Sequence, residues 1–139
     1  MNEFGGVKVG DKLPRTERKI TQDTIQAYAE ASGDFNPLHI DPEFAKGTFY
    51  GRTIAHGLNS LAFVAQIMTE WDWKGWGYGG ELEVTFLSPV FPDETLCVTG
   101  EVVEIETRDN GIYAKAKLSV LVDERTILVG NTWRYLGNS

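Results

Sequence analysis

The chain contains a single cysteine in 139 residues, so no internal disulfide can form and a fold stapled by cross-links is excluded. Cys97 lies in an apolar strand pattern, which suggests a reducing compartment; cytoplasm is the expected location. Basic residues are also scarce, with 13 Lys and Arg against 20 Asp and Glu and a net charge of −7. Nucleic-acid binding needs a basic face, and these cations are scattered, so no nucleic-acid partner is expected. An anionic ligand could still be held by a few local cations. No apolar run approaches the ~20 residues of a membrane span, and none is expected. The first six residues lack a basic region followed by an apolar core, so no secretory signal is expected either. Histidine is rare as well: His39 and His56 are the two in the chain, and both sit in segments punctuated by Gly or Pro beside helix starts.

What remains is ordinary globular material, 42% apolar and 24% charged, of a length suited to one domain over residues 1–139. Lys12 through Ile20 reads as an edge strand. Thr21 suits an N-cap and Asp23 the first turn, and Ile25, Tyr28 and Ala29 or Ala31 recur at helical spacing, predicting a helix that ends at Gly33. Asp41-Pro42 opens a second, short helix. From Leu58 to Trp71 the residues are apolar on nearly every face, with no charge before Glu70, which predicts a core helix enclosed by other elements. Residues 80–90, 95–106, 112–122 and 126–136 are strand candidates separated by turn clusters. The third alternates Ile112, Ala114, Ala116, Leu118 and Val120 with more polar neighbours, as a strand with one buried face does. Asn110-Gly111 before it is a hairpin signal. Helices followed by consecutive strands indicate an α+β domain, an antiparallel sheet curved around one long buried helix. The open edge of such a sheet favours pairing with a second copy as a homodimer.

Between the first two helices, Gly33-Asp34-Phe35-Asn36-Pro37-Leu38-His39 places a carboxylate and an imidazole five residues apart. Pro37 and Gly33 argue against regular helix here, so the segment reads as a shaped loop. Fully extended it would hold the two groups roughly 17 Å apart; a turn at Asn36-Pro37 could bring both onto one water molecule. Asp34 is equally at home as a turn or capping residue, and His39 as a packed histidine. Gly57, at the start of the buried helix, has an orphan N–H near the positive end of the helix dipole, where an oxyanion would be stabilised; close packing is the competing reason for a glycine there. Trp71, Trp73 and Trp76 mark either a packed cap over the helix end or the wall of an apolar substrate pocket. The spacing of Asp34, His39 and Asp41 matches no metal-ligand pattern, so no metal is expected. Ser32, Ser60 and Cys97 lack a nucleophile signature.

The stretch from Tyr28 to Ala45, with Gly33-Asp34-Phe35-Asn36-Pro37-Leu38-His39 at its centre, closely resembles the signature of the (R)-specific enoyl-CoA hydratases and MaoC-like dehydratases. Arg52-Thr53-Ile54-Ala55-His56-Gly57-Leu58 resembles that family's second block. The resemblance covers most of the chain beyond about residue 10 and implies a hot-dog fold. It further implies that Asp34 and His39 activate water for addition to a trans-2-enoyl-CoA, giving an (R)-3-hydroxyacyl-CoA, with Gly57 N–H as oxyanion donor. Asn36 would shape the loop and His56 would support the site. The coenzyme A thioester would be substrate, and no cofactor is implied. A noncatalytic acyl-CoA-binding protein and a hot-dog thioesterase are the alternatives. Two departures stand out: members of the family often carry proline where Thr53 stands, and some carry serine where Ala65 aligns.

Overall fold

The computed structural model describes residues 1–138. The chain opens with two-residue strands β1 (Glu3–Phe4) and β2 (Val7–Lys8), paired antiparallel through Gly5-Gly6. Both glycines have positive φ, 60° and 82°, as a two-residue hairpin turn requires. This hairpin was not expected from the sequence. The predicted strand over Lys12–Ile20 is shorter, β3 (Thr16–Lys19), with Lys12 adding one isolated bridge to Glu101. Pro14 between them has no N–H to give a ladder.

Helix α1 (Gln22–Ser32) begins where expected. Thr21 accepts from Thr24 N while Thr24 Oγ1 accepts from Thr21 N, a reciprocal cap that satisfies two orphan donors. Ile25 and Ala29, one turn apart, are fully buried. Gly33 ends the helix at φ 79°, a left-handed conformation that a residue with Cβ adopts only at a cost. The following segment corrects the loop expectation. It forms α2 (Pro37–Ile40), a one-turn helix with Asn36 as N-cap and proline at its first position. Asp41 then caps α3 (Pro42–Lys46) by accepting from Glu43 N and Phe44 N.

Helix α4 (Gly57–Gly79) is longer than predicted and bends at Asp72, whose φ of −165° and ψ of 98° are not helical. Asp72 caps the second segment, its carboxylate accepting from Lys74 N and Gly75 N and pairing with Arg134 at 2.7 Å. Strands β4 (Glu81–Phe86), β5 (Thr95–Arg108), β6 (Gly111–Val122) and β7 (Arg125–Gly137) follow. With β3 they form a five-stranded sheet, wholly antiparallel, in the order β3-β5-β6-β7-β4. Leu96, Val98 and Val102 of β5, Ala114, Ala116, Leu118 and Val120 of β6 and Leu128 of β7 belong to one core cluster with Val64, Ile67 and Met68 of α4. A sheet laid against one long helix is the hot-dog arrangement. The helix is not enclosed on all sides within this chain, however: Leu58 and Ala62 are exposed on the face away from the core. Among the described residues no helix is long and apolar enough to cross a membrane.

Candidate active site

Three polar side chains that the sequence holds far apart meet at the junction of α1, α2 and α4. A carboxylate oxygen of Asp34 and one ring nitrogen each of His39 and His56 all lie within 4.8 Å of one another. Gly33 turns the chain out of α1 so that Asp34 follows at once. The Asp34 carboxylate accepts from Asn36 N at 3.1 Å, and the Asn36 side chain accepts from Leu38 N at 3.0 Å, opening α2. The helical turn then carries His39 back toward Asp34. Convergence is thus achieved by a capped helical turn, where the residues suggested a loop.

His39 Nδ1 lies 2.7 Å from the carbonyl oxygen of Ile54. A carbonyl only accepts, so Nδ1 carries the proton, and neutral His39 presents a lone pair at Nε2. By the same reasoning His56 Nε2, 3.0 Å from the carbonyl of Asp34, donates to it. The remaining nitrogen of His56 is buried with no hydrogen-bond partner among the described residues. The two imidazoles stack with centroids 3.9 Å apart and an interplanar angle of 28°, and Tyr28 packs on the His56 ring at 4.7 Å. His56 therefore supports the site on two sides, fixing the main chain of Asp34 and the ring plane of His39. Stacking also bears on metal chemistry. Lone pairs lie in the ring planes, so two stacked, nearly parallel rings hold them in separate planes, a poor arrangement for one shared ion. Asp34 and His39 instead suit a single water: two hydrogen bonds of about 2.8 Å meeting at a tetrahedral angle span roughly 4.6 Å.

His56 is also the N-cap of α4, but its side chain makes no cap bond. The N–H of Gly57 has no acceptor among the described residues and stands at the positive end of the segment of α4 that precedes the bend at Asp72. Gly57 itself lines a cavity of about 240 Å³, walled also by Ile54, Ala55, Ser60, Pro89 and Val90, with Tyr50, Phe86, Leu87, Ser88 and Ile127 completing the lining. A Cβ on Gly57 would stand 3.1 Å from the Phe86 ring. Asp34 and His39 do not line this cavity themselves; they adjoin it through Ile54 and His56.

The tryptophans lie elsewhere. Trp71 begins fourteen residues after Gly57, roughly 21 Å along the axis at 1.5 Å per residue. Trp71 and Trp76 pack against the core, whereas Trp73 is exposed and does not, and Arg134 lies 4.5 Å over the Trp71 ring. None walls the cavity, because α4 carries them to its far end. Ala65 is only half-buried and is not part of the wall. The residues missed in the sequence are Gln22 and Ile54, and Thr53 stands out there only as a departure from the family pattern; these residues contact His39 or each other. Gln22 carried no signal beyond being a polar residue in a first turn.

Residues 7–124 match the MaoC like domain. The chain is 41% identical over 103 residues to the peroxisomal hydratase-dehydrogenase-epimerase of Saccharomyces cerevisiae, a match covering 70% of this chain but only 11% of that protein. It is 34% identical over 100 residues to the (R)-specific enoyl-CoA hydratase of Aeromonas caviae, covering 71% of this chain and 73% of the relative. A solved structure of an (R)-hydratase from A. caviae involved in PHA biosynthesis superposes with a TM-score of 0.78 at 25% identity, over 93% of this chain and 97% of that one. The domain match spans most of the chain, and the chain belongs to the MaoC-like dehydratase family of hot-dog proteins.

Proposed function

We propose that the protein is an (R)-specific hydratase of trans-2-enoyl-CoA thioesters, acting reversibly as a 3-hydroxyacyl-CoA dehydratase. The observation that carries this reading is the approach of the Asp34 carboxylate to the imidazole pair within 4.8 Å, with His39 Nδ1–H committed to Ile54. A water held between Asp34 and His39 Nε2 adds its oxygen to C3. Its proton passes to the pair, and the pair returns one proton to C2 on the same face. Because neutral His39 starts with a lone pair at Nε2, it can deliver a proton from that atom only after receiving one, so the two side chains act as a unit. Electron density displaced onto the thioester oxygen is met by Gly57 N–H at the start of α4. Asn36 and His56 support the pair, and the reaction uses no cofactor or metal.

The hydratase names of the relatives support the reaction class. We further place the protein in a reducing compartment, the cytoplasm, on its lone cysteine, and as a homodimer on its open sheet edge.

Purified protein is expected to bleach the enoyl-thioester absorbance of crotonyl-CoA, or of a longer enoyl-CoA, without added metal and to give the (R)-alcohol. Asp34→Asn and His39→Ala should each lower kcat by about 10²–10⁴. Full activity in both variants would sink the mechanism, and thiol release in place of hydration would identify a thioesterase instead.

A further inference from the structure

Gln22 and Thr53 stand outside the catalytic pair and outside the cavity wall, yet their side chains form a chain that ends on His39. Helix α2 has four residues, too few to persist on its own hydrogen bonds. Its carbonyls are held from outside. Leu38 O accepts from Ile54 N at 3.3 Å, and His39 O accepts from Gln22 Nε2 at 2.8 Å. Thr53 Oγ1 lies 2.7 Å from Gln22 Oε1. The direction of this chain is determined. The carbonyl of His39 only accepts, so Gln22 must turn its NH₂ toward His39 and its oxygen toward Thr53, which obliges the Thr53 hydroxyl to donate. Thr53 is 5% exposed, so bulk water competes little for that bond. Thr53 and Ile54 are neighbours, and one short segment therefore grips His39 twice: at its imidazole through the Ile54 carbonyl and at its main chain through Gln22.

We propose that Gln22 and Thr53 are positioning residues for His39. They hold α2 where His39 Nδ1–H stays on Ile54 and Nε2 stays turned to the reacting water. The catalytic consequence rests on the hydratase reading; the structural one does not. A residue without a hydroxyl at position 53 would leave Gln22 Oε1 with no donor there, so the clamp depends on this side chain.

Thr53→Val keeps the side-chain shape and removes the donor, Thr53→Ser keeps the donor, and Gln22→Ala removes the bridge. Thr53→Val and Gln22→Ala are each expected to lower kcat about 10-fold with KM within about twofold, since a small misplacement of a catalytic group costs rate and neither residue touches the cavity. Thr53→Ser should restore kcat to within about twofold. The Gln22→Ala/Thr53→Val double variant should be no slower than Gln22→Ala alone, because both break one link. With only two histidines in the chain, long-range ¹H–¹⁵N spectra resolve both imidazoles. Wild-type His39 should be the Nδ1-protonated tautomer and the two disrupting variants a tautomer mixture. A merely structural role would lower Tm and leave kcat and tautomer unchanged. Wild-type kcat, or a wild-type tautomer, in both disrupting variants overturns the proposal. If the wild-type protein hydrates no enoyl thioester, the hydratase reading falls while the tautomer still decides the clamp.

Discussion

Gly57 answers two demands that a substitution separates. Its φ is not in the left-handed region, so alanine is conformationally admissible, and the smaller entropy of the unfolded alanine chain favours folding by about 0.5 kcal/mol. Against this, the new Cβ would press on the Phe86 ring at 3.1 Å; Phe86 is half exposed and can yield a few tenths of an ångström. Stability should therefore change little. The same methyl group would stand in the cavity wall beside the N–H assigned to the thioester oxygen; alanine keeps that N–H but crowds the oxygen away from it, so Gly57→Ala is expected to lower kcat/KM by about 10²-fold while Tm stays within a few degrees. Unchanged kinetics would remove Gly57 from the site. At this scale the sequence was informative where chemistry is rare. Two histidines in odd surroundings could be noticed, and both proved to sit together. Gln22 could not be noticed, because a polar side chain in a first helical turn is common and its value here comes from Thr53, 31 residues away.

Among the elements, the segment from Pro89 to Glu94 supplies part of the cavity wall and is held by charge. Glu94 accepts from Phe91 N at 2.7 Å and from Arg125, whose guanidinium also donates to Pro89 O at 3.1 Å. Burial alone would raise the Glu94 carboxyl, but the hydrogen bonds from Arg125 and Phe91 outweigh it and hold the group below its ordinary value of 4.5. Glu81 is lowered likewise by its hydrogen bonds from Arg108. A carboxyl lowered in the folded state contributes stability that is complete above its unfolded value and is lost as pH falls through its folded value. Glu94→Gln should thus cost about 1 kcal/mol at pH 7, and the gap to wild type in urea midpoint should narrow as pH drops below about 4.5. A gap independent of pH would show that the charge of Glu94 is idle. The elements themselves were legible to different degrees, for physical reasons. Strands β5 and β6 bury one face along most of their length, and period-two alternation records that directly, whereas β7 shows no such alternation. Helix α2 was hidden because asparagine and proline serve both a turn and a helix start. The end of α4 was hidden because Gly75, Gly77 and Gly79 weaken helix propensity, whereas Asp72 restarts the helix by capping it.

For the molecule as a whole, the sheet ends in two edges of unlike character. Strand β3 carries Glu17, Arg18 and Lys19 in sequence, and charged side chains on an edge discourage pairing with another chain. The other edge, β4, also exposes Glu81 and Glu83 but ends beside an apolar surface: Phe86 and Leu87 are 50% and 54% exposed, and Leu58, next to the Gly57 that Phe86 adjoins, is 61% exposed. Leaving such a patch in water costs about 25 cal/mol per Å² of apolar area, so a second copy laid along β4 is the economical cover. In such a dimer the exposed face of α4 would belong to the same surface, and its apolar residues away from the core would be covered. Leu58 does not line the cavity, so it separates assembly from chemistry. Wild-type protein should sediment as a dimer at micromolar concentration, and Leu58→Glu should shift it to monomer by placing a charge in the apolar contact. Lys19→Glu on the β3 edge should leave the dimer intact. A monomeric wild type, or a Leu58→Glu variant that sediments with it as a dimer, would reject pairing through β4. Since Phe86 and Leu87 also line the cavity, the two copies would share walls of neighbouring sites, and dissociation by Leu58→Glu should raise KM for the thioester as well as change the sedimentation coefficient.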